Sequence, residues 1–228
     1  GVEITKEKLA EAIKLHNETR RLQQEIYEMQ KGEEVYLTGL ELLMVMLAGV
    51  SLPRPEYNKM MKDLIAALKA NGPRIKPKVR LLYTGGHADN PEFFELLQQN
   101  DAHVVSDNTG FGTRAADVLI CEDGDPLEAI INYYFEEKPA ATRQMGTQVE
   151  RMERLLDLVK QYKADGVVAS RLYMCDLWAF EHFLMRKRLH ENNVPFLELE
   201  VDYTPEGQGQ IKTRVQAFVE SLADRQTA

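Results

Sequence analysis

One pattern constrains this chain more than any other: four times, a short apolar run leads into a turn and the turn gives way to a helical stretch. Val79-Arg80-Leu81-Leu82-Tyr83 runs into Thr84-Gly85-Gly86, and a helical segment from Pro91 to Gln99 follows. The same grammar takes Ala102-His103-Val104-Val105 into Asp107-Asn108, Gly166-Val167-Val168-Ala169 into Ser170-Arg171, and Pro195-Phe196-Leu197-Glu198-Leu199 into Asp202-Tyr203. Strands spaced by helices cannot pair as hairpins. They need crossovers, and right-handed crossovers give a parallel sheet. The helix between the second and third strands is expected from Gln144 to Tyr162, and a closing helix from Ile211 to Ala223.

The residues before Pro77 carry no strand signal. Thr5 stands as an N-cap before apolar positions at Leu9, Ile13, His16, Leu22, Ile26 and Met29, and Gly32 ends that helix. A second helix is expected over Leu40 to Ala48, closed by Gly49 and Pro53, and a third over Glu56 to Lys69, closed by Asn71-Gly72-Pro73. The expected fold is therefore α/β and flavodoxin- or Rossmann-like. A helical N-terminal region over residues 1–76 precedes a four-stranded parallel sheet with flanking helices over 77–228.

Charge and patterning narrow the function classes. A net charge of −8 opposes nucleic acid as a partner, because binding it requires a basic surface to neutralise phosphates. The longest apolar run, Leu40 to Leu52, contains Glu41 and ends in Ser-Leu-Pro, which is too short to span a bilayer. No basic segment followed by an apolar one opens the sequence, so a cytoplasmic location is expected. Cys121 and Cys175 form no C-x-x-C, which suggests neither a disulfide framework nor a zinc site.

In open parallel sheets ligands collect at the carboxyl ends of the strands. That directs attention to the loops Thr84 to Asp89, Asp107 to Arg114, Ser170 to Asp176 and Asp202 to Gln210. Thr84, Gly85 and Gly86 can bring backbone N–H groups to a phosphate, or simply form a tight turn. Gly110, Gly112 and Arg114 make a second glycine loop ending in a cation, suited either to an anion or to a neighbouring acid. Ser170 follows the third strand, and Cys175 after it is either a small buried hydrophobe or a thiolate facing a metal centre. Cys121, beside Glu122 and Asp123, reads as structural. No histidine spacing fits a metal and no nucleophile elbow is present, so no catalytic residue is identified.

Several segments in order resemble a known family: ITKEKLAEAIKLHNETRR, RLLYTGG, FGTR, DPLEAI, DGVVASRLYMCD, and VPFLELEVDYT with GQGQIKTRVQAFVE. The sequence is similar to the C-terminal portion of one subunit in the 2-hydroxyacyl-CoA dehydratase / benzoyl-CoA reductase family, which includes the 2-hydroxyglutaryl-CoA dehydratase D-component. The resemblance implies two α/β domains per subunit and a [4Fe–4S] cluster held between them by three cysteines, of which Cys175 matches one. It places the other two in an upstream domain absent from this sequence. A fragment, a split-gene product or a cluster-free paralogue is therefore expected, with no cluster bound by this chain alone. The implied partners are an acyl-CoA substrate, a second dehydratase or reductase subunit and an ATP-dependent activator that supplies one electron. The implied chemistry is that of a lyase or an oxidoreductase. A cluster-free acyl-CoA or nucleotide binding module, or a structural partner subunit, is the alternative.

Overall fold

Helix α1 (Lys6–Glu28) starts where Thr5 accepts a hydrogen bond from the Lys8 N–H, and α2 (Gly39–Ser51) starts at Thr38 in a capping box with Glu41. The computed structural model describes residues 3–86, 89–98, 102–202 and 208–227. His87, Gln99 and Tyr203, to which expected segments extended, lie outside them. Helix α3 (Arg54–Asn71) enters through Pro55, and its cap residue Gly72 has a φ of +74°. Gly49, expected to close α2, lies inside it, where the missing side chain makes room for the Tyr57 ring of α3.

Four strands follow: β1 (Val79–Gly85), β2 (Ala102–Asn108), β3 (Gly166–Leu172) and β4 (Phe196–Val201). They form one parallel sheet in the order β2-β1-β3-β4. Helix α4 (Pro91–Leu97) joins β1 to β2. Between β2 and β3 come α5 (Thr113–Ala116), α6 (Pro126–Asn132), a π-helical turn at Tyr133–Glu137 and α7 (Gln148–Gln161). Helix α8 (Asp176–Glu191) joins β3 to β4, and α9 (Gln208–Thr227) closes the described chain. The sequence pattern did not disclose α5 or the π-helical turn. Both are short, and their apolar faces become visible only against α1.

Helices divide between the two faces of the sheet. Leu82, Val105, Val167 and Ala169 share an apolar cluster with α1, α2, α3, α7 and α8, while Leu81, Tyr83, Val168 and Leu199 share another with α4 and α9. Alternate residues of β1 thus serve opposite layers, as a strand buried on both sides requires. Along β1 and β2 the register slips once, between Leu81 and Leu82.

Candidate functional site

Strand β1 turns toward α4 on one face, and β3 turns toward α8 on the other. The carboxyl ends of adjacent strands therefore part between β1 and β3, the switch point where open α/β sheets take ligands. The base of that crevice is tightly drawn. Gly85 pairs with Ser170, and the Gly86 N–H donates to the Ser170 carbonyl at 3.2 Å. Any Cβ at Gly85 would lie 2.4 Å from that carbonyl oxygen, and the residue has a φ of +155°, so only glycine fits. The one tryptophan of the chain, Trp178 of α8, lies against Gly86, where a Cβ would fall 2.4 Å from the indole nitrogen.

The hydroxyls around this base are engaged within the sheet. Thr84 is fully buried and donates to the Asn108 carbonyl at 3.5 Å, and Ser170 Oγ shares a 2.5 Å hydrogen bond with the Tyr83 hydroxyl. Gly85 is buried, whereas Gly86 is exposed at the rim. Burial pushes the Tyr83 phenol well above its usual range.

Cys175 stands at the same end of the sheet, half-buried, as the N-cap residue of α8. The turn that presents it is fixed by Tyr173 N–H donating to Val201 at 2.9 Å and Cys175 N–H donating to Leu172 at 3.1 Å. Between them Met174 takes a left-handed φ of +62°, a conformation that costs a side-chain-bearing residue about 1 kcal/mol. Tyr173 and Met174 on this turn, and Leu177, Phe180 and Phe183 along the first turns of α8, stand exposed.

The loop after β2 is built on Asp107. Its carboxylate accepts from Thr109 N–H at 2.8 Å, Thr109 Oγ1 at 2.7 Å and the Tyr27 hydroxyl, and Thr113 Oγ1 caps the Asp107 carbonyl at 2.6 Å. Gly112 crosses directly over that carboxylate. Farther along, Arg151 forms a two-pronged pair with Glu181 at 2.7 and 2.8 Å, with 8% and 4% of the two side chains exposed. This pair ties α7 to α8 one and a half turns beyond Cys175. Arg154 binds Asp117, Asn108 and Thr113. Arg114 is half-buried beside these two arginines, its Nε without a hydrogen-bond partner, and burial together with Arg154 and Arg151 weakens its hold on its proton. Gly110 is exposed at the edge of the same loop.

His182, on α8 one turn past Trp178, is fully buried between Trp178 and Phe196. Its Nδ1 lies 3.4 Å from Glu198 Oε1 without forming a hydrogen bond. Burial lowers its proton affinity, with Glu198 opposing and Arg171 and Arg186 adding to the effect.

A three-thiolate cluster needs three thiolates in one place. The sequence contains two cysteines. Cys121 is exposed on the segment held to α1 through Asn17 and Ile120, and no group of three or more His, Cys, Asp or Glu suited to a metal occurs among the described residues. These residues do not make up such a site.

The sequence profile of the family described as 2-hydroxyglutaryl-CoA dehydratase, D-component, matches residues 1–222. The chain belongs to that family. It is similar to a protein of Escherichia coli K12 that is provisionally named a dehydratase subunit, with 27% identity over 97% of this chain and 59% of that protein. It is also similar to the (R)-phenyllactyl-CoA dehydratase beta subunit of Clostridium sporogenes, with 24% identity over 97% of this chain and 59% of the relative. A benzoyl-CoA reductase subunit of Thauera aromatica matches at 24% identity over 97% of this chain and 58% of its own length. The chain thus spans about three-fifths of the length of these relatives. No helix among the described residues is long and apolar enough to cross a membrane.

Of the residues singled out in the sequence, Gly85, Gly86 and Ser170 meet at the β1/β3 switch point, and Cys175 follows β3 at the same end of the sheet. Gly110, Gly112 and Arg114 lie one strand away. Sequence reasoning passed over Trp178, Arg151, Glu181 and Asp107 as individual groups. The lone tryptophan carried a signal, since it follows the Cys175 turn by three residues. The Arg151–Glu181 pair carried none, because the partners are 30 residues apart in a chain rich in both charges.

Proposed function

We propose that this chain is a subunit, or the matching part of one, of an enzyme that dehydrates or reduces an acyl-CoA thioester. It receives the thioester end of its ligand at the β1/β3 crevice beside Cys175 and Trp178. The family membership over residues 1–222 carries this reading, and the position of Cys175 after β3, as the N-cap residue of α8, supports it. The proposal includes a second subunit and an ATP-dependent activator as partners, and one thiolate from Cys175 to an iron–sulfur centre whose other ligands lie outside these residues. When bound, such a centre supplies one-electron chemistry at low potential.

The part played by the chain's own residues is binding and orientation. The Gly85–Ser170 contact fixes the floor of the crevice, Trp178 offers an aromatic wall, and the exposed apolar side chains on the Cys175 turn and the first turns of α8 exclude water once covered. Alkylation tests the reading: saturating CoA should slow iodoacetamide labelling of Cys175 several-fold while leaving Cys121 unchanged. Equal labelling of Cys175 with and without CoA would remove the ligand from this crevice.

A further inference from the structure

Helix α6 and the π-helical turn after it run on as one helical segment with two apolar faces, and only one of them is packed. Ala129 and Tyr133 are buried in a cluster with Ile13 of α1 and Ile120, and the Arg20 guanidinium sits 4.8 Å over the Tyr133 ring. On the other side Leu127, Ile131, Tyr134 and Phe135 are 47 to 76% exposed. Leu127, Ile131 and Phe135 follow one another at intervals of four, so they form a single row along the helix. The row ends on the π-helical turn, a kind of turn found most often at functional sites.

Phe135 also opens onto a cavity of about 430 Å³ between this turn and α7. Glu136 and Glu137 line it from the turn, and Glu150, Arg154 and Asp157, spaced along one face of α7, line it from the helix. The cations there are committed. Arg151 holds Glu181, Arg154 holds Asp117, and the Lys138 ammonium lies 5.2 Å from the Tyr134 ring. Glu153 is paired with Arg188. The carboxylates of Glu136, Glu137, Glu150 and Asp157 enter no ion pair or hydrogen bond among the described residues. Solvated carboxylates alone ask for no ligand, but a row of large apolar side chains running into an acidic groove is a surface left to be covered.

We propose that the row of Leu127, Ile131 and Phe135, with the groove beyond it, docks a basic amphipathic helix of a partner protein. The row takes the partner's apolar positions, and lysines or arginines flanking them reach the unpaired carboxylates. The occupant's chemistry follows from the pairing of the two features. A small cation would leave the apolar row bare, and an anionic membrane or a nucleic acid would meet the acidic groove. A second copy of this chain would bring a net charge of −8 to the same groove. The surface uses none of the crevice residues, so it stands independently of the acyl-CoA reading.

The test measures, by fluorescence anisotropy, how a labelled synthetic peptide with leucine and lysine at helical spacing binds the full chain. A counterpart with glutamate in place of lysine should not bind. Ile131→Ser with Phe135→Ser should weaken the lysine peptide roughly tenfold, as loss of apolar anchors does. Glu136→Gln with Glu150→Gln should weaken it about fivefold and flatten its salt dependence. Glu33→Gln with Glu34→Gln, an equal loss of charge on the loop after α1, should stay within about twofold of wild type. Every substituted position is exposed, so circular dichroism should show each variant folded as the wild type is. No binding by the wild-type chain, affinity unchanged in both face variants, equal losses in the Glu33 and Glu34 variant, or equal affinity for the glutamate peptide overturns the proposal. So does a dimer in light scattering that the Ile131→Ser, Phe135→Ser protein lacks, since a second copy then covers the face.

Discussion

Gly110 and Gly112 look alike in the sequence, but the structure assigns them very different tolerance. A Cβ at Gly112 would fall 1.9 Å from Asp107 Oδ1 and 2.5 Å from its Cγ, whereas one at Gly110 would meet only Arg114 Nη2, at 4.0 Å. Ordinary contact needs about 1.5 Å more room at Gly112, and Asp107 cannot give it freely. Its Oδ1 is held by two bonds from Thr109 and its Oδ2 by Tyr27. Displacing the carboxylate sacrifices the two Thr109 bonds at about 1.5 kcal/mol each, less about 0.5 kcal/mol gained because alanine restricts the unfolded chain. Gly112→Ala should therefore cost about 2.5 kcal/mol, or roughly 5–10 °C in melting temperature for a chain of this size. Gly110→Ala should stay within about 0.5 kcal/mol of wild type. Urea unfolding followed by circular dichroism measures both. Equal stability of the two variants would refute the argument that Asp107 is the fixed post of the β2 loop.

Other expectations follow from single contacts. Glu181→Ala leaves the Arg151 guanidinium buried without its carboxylate and should cost about 3–5 kcal/mol, while replacing both by methionine should cost far less; a double-mutant cycle in urea reads the difference. His182 is held neutral below its ordinary value of 6.5, so the unfolded chain takes up that proton first and stability should fall as pH drops below about 6.5. His182→Leu should flatten this part of the pH profile, with Glu198, Arg171 and Arg186 left in place, and an unchanged slope would count against it. In the assembled enzyme Cys175→Ser should lower iron per subunit and leave folding intact, whereas Cys121→Ser should leave iron unchanged; full iron in the Cys175 variant would remove it from the ligand set.

The sheet was legible because apolar runs such as Val79–Tyr83 and Gly166–Ala169 are too short for helices and lie between helix-forming stretches. Boundaries shifted where tertiary contact overrode local signals. Gly49 reads as a helix stop, yet Tyr57 needs the space it leaves inside α2. Cys175 was readable as a strand-end residue, since its place follows from the β3 pattern alone. That the Thr84 and Ser170 hydroxyls bond within the sheet was not readable, because their partners Asn108 and Tyr83 come from neighbouring strands.

The strand order also governs when the molecule can be completed. β1 leaves synthesis well before β3, which is one of its two neighbours, so Gly85 must wait for Ser170 before the middle of the sheet exists. Closing that span is the entropically slow step of assembly, and until it occurs one edge of β1 stays open to pairing with other chains. The wall that Cys175 and Trp178 contribute is therefore among the last parts to form. Ribosome-bound chains ending before residue 166 should be protease-sensitive throughout β1, and they should gain protection together once β3 has emerged.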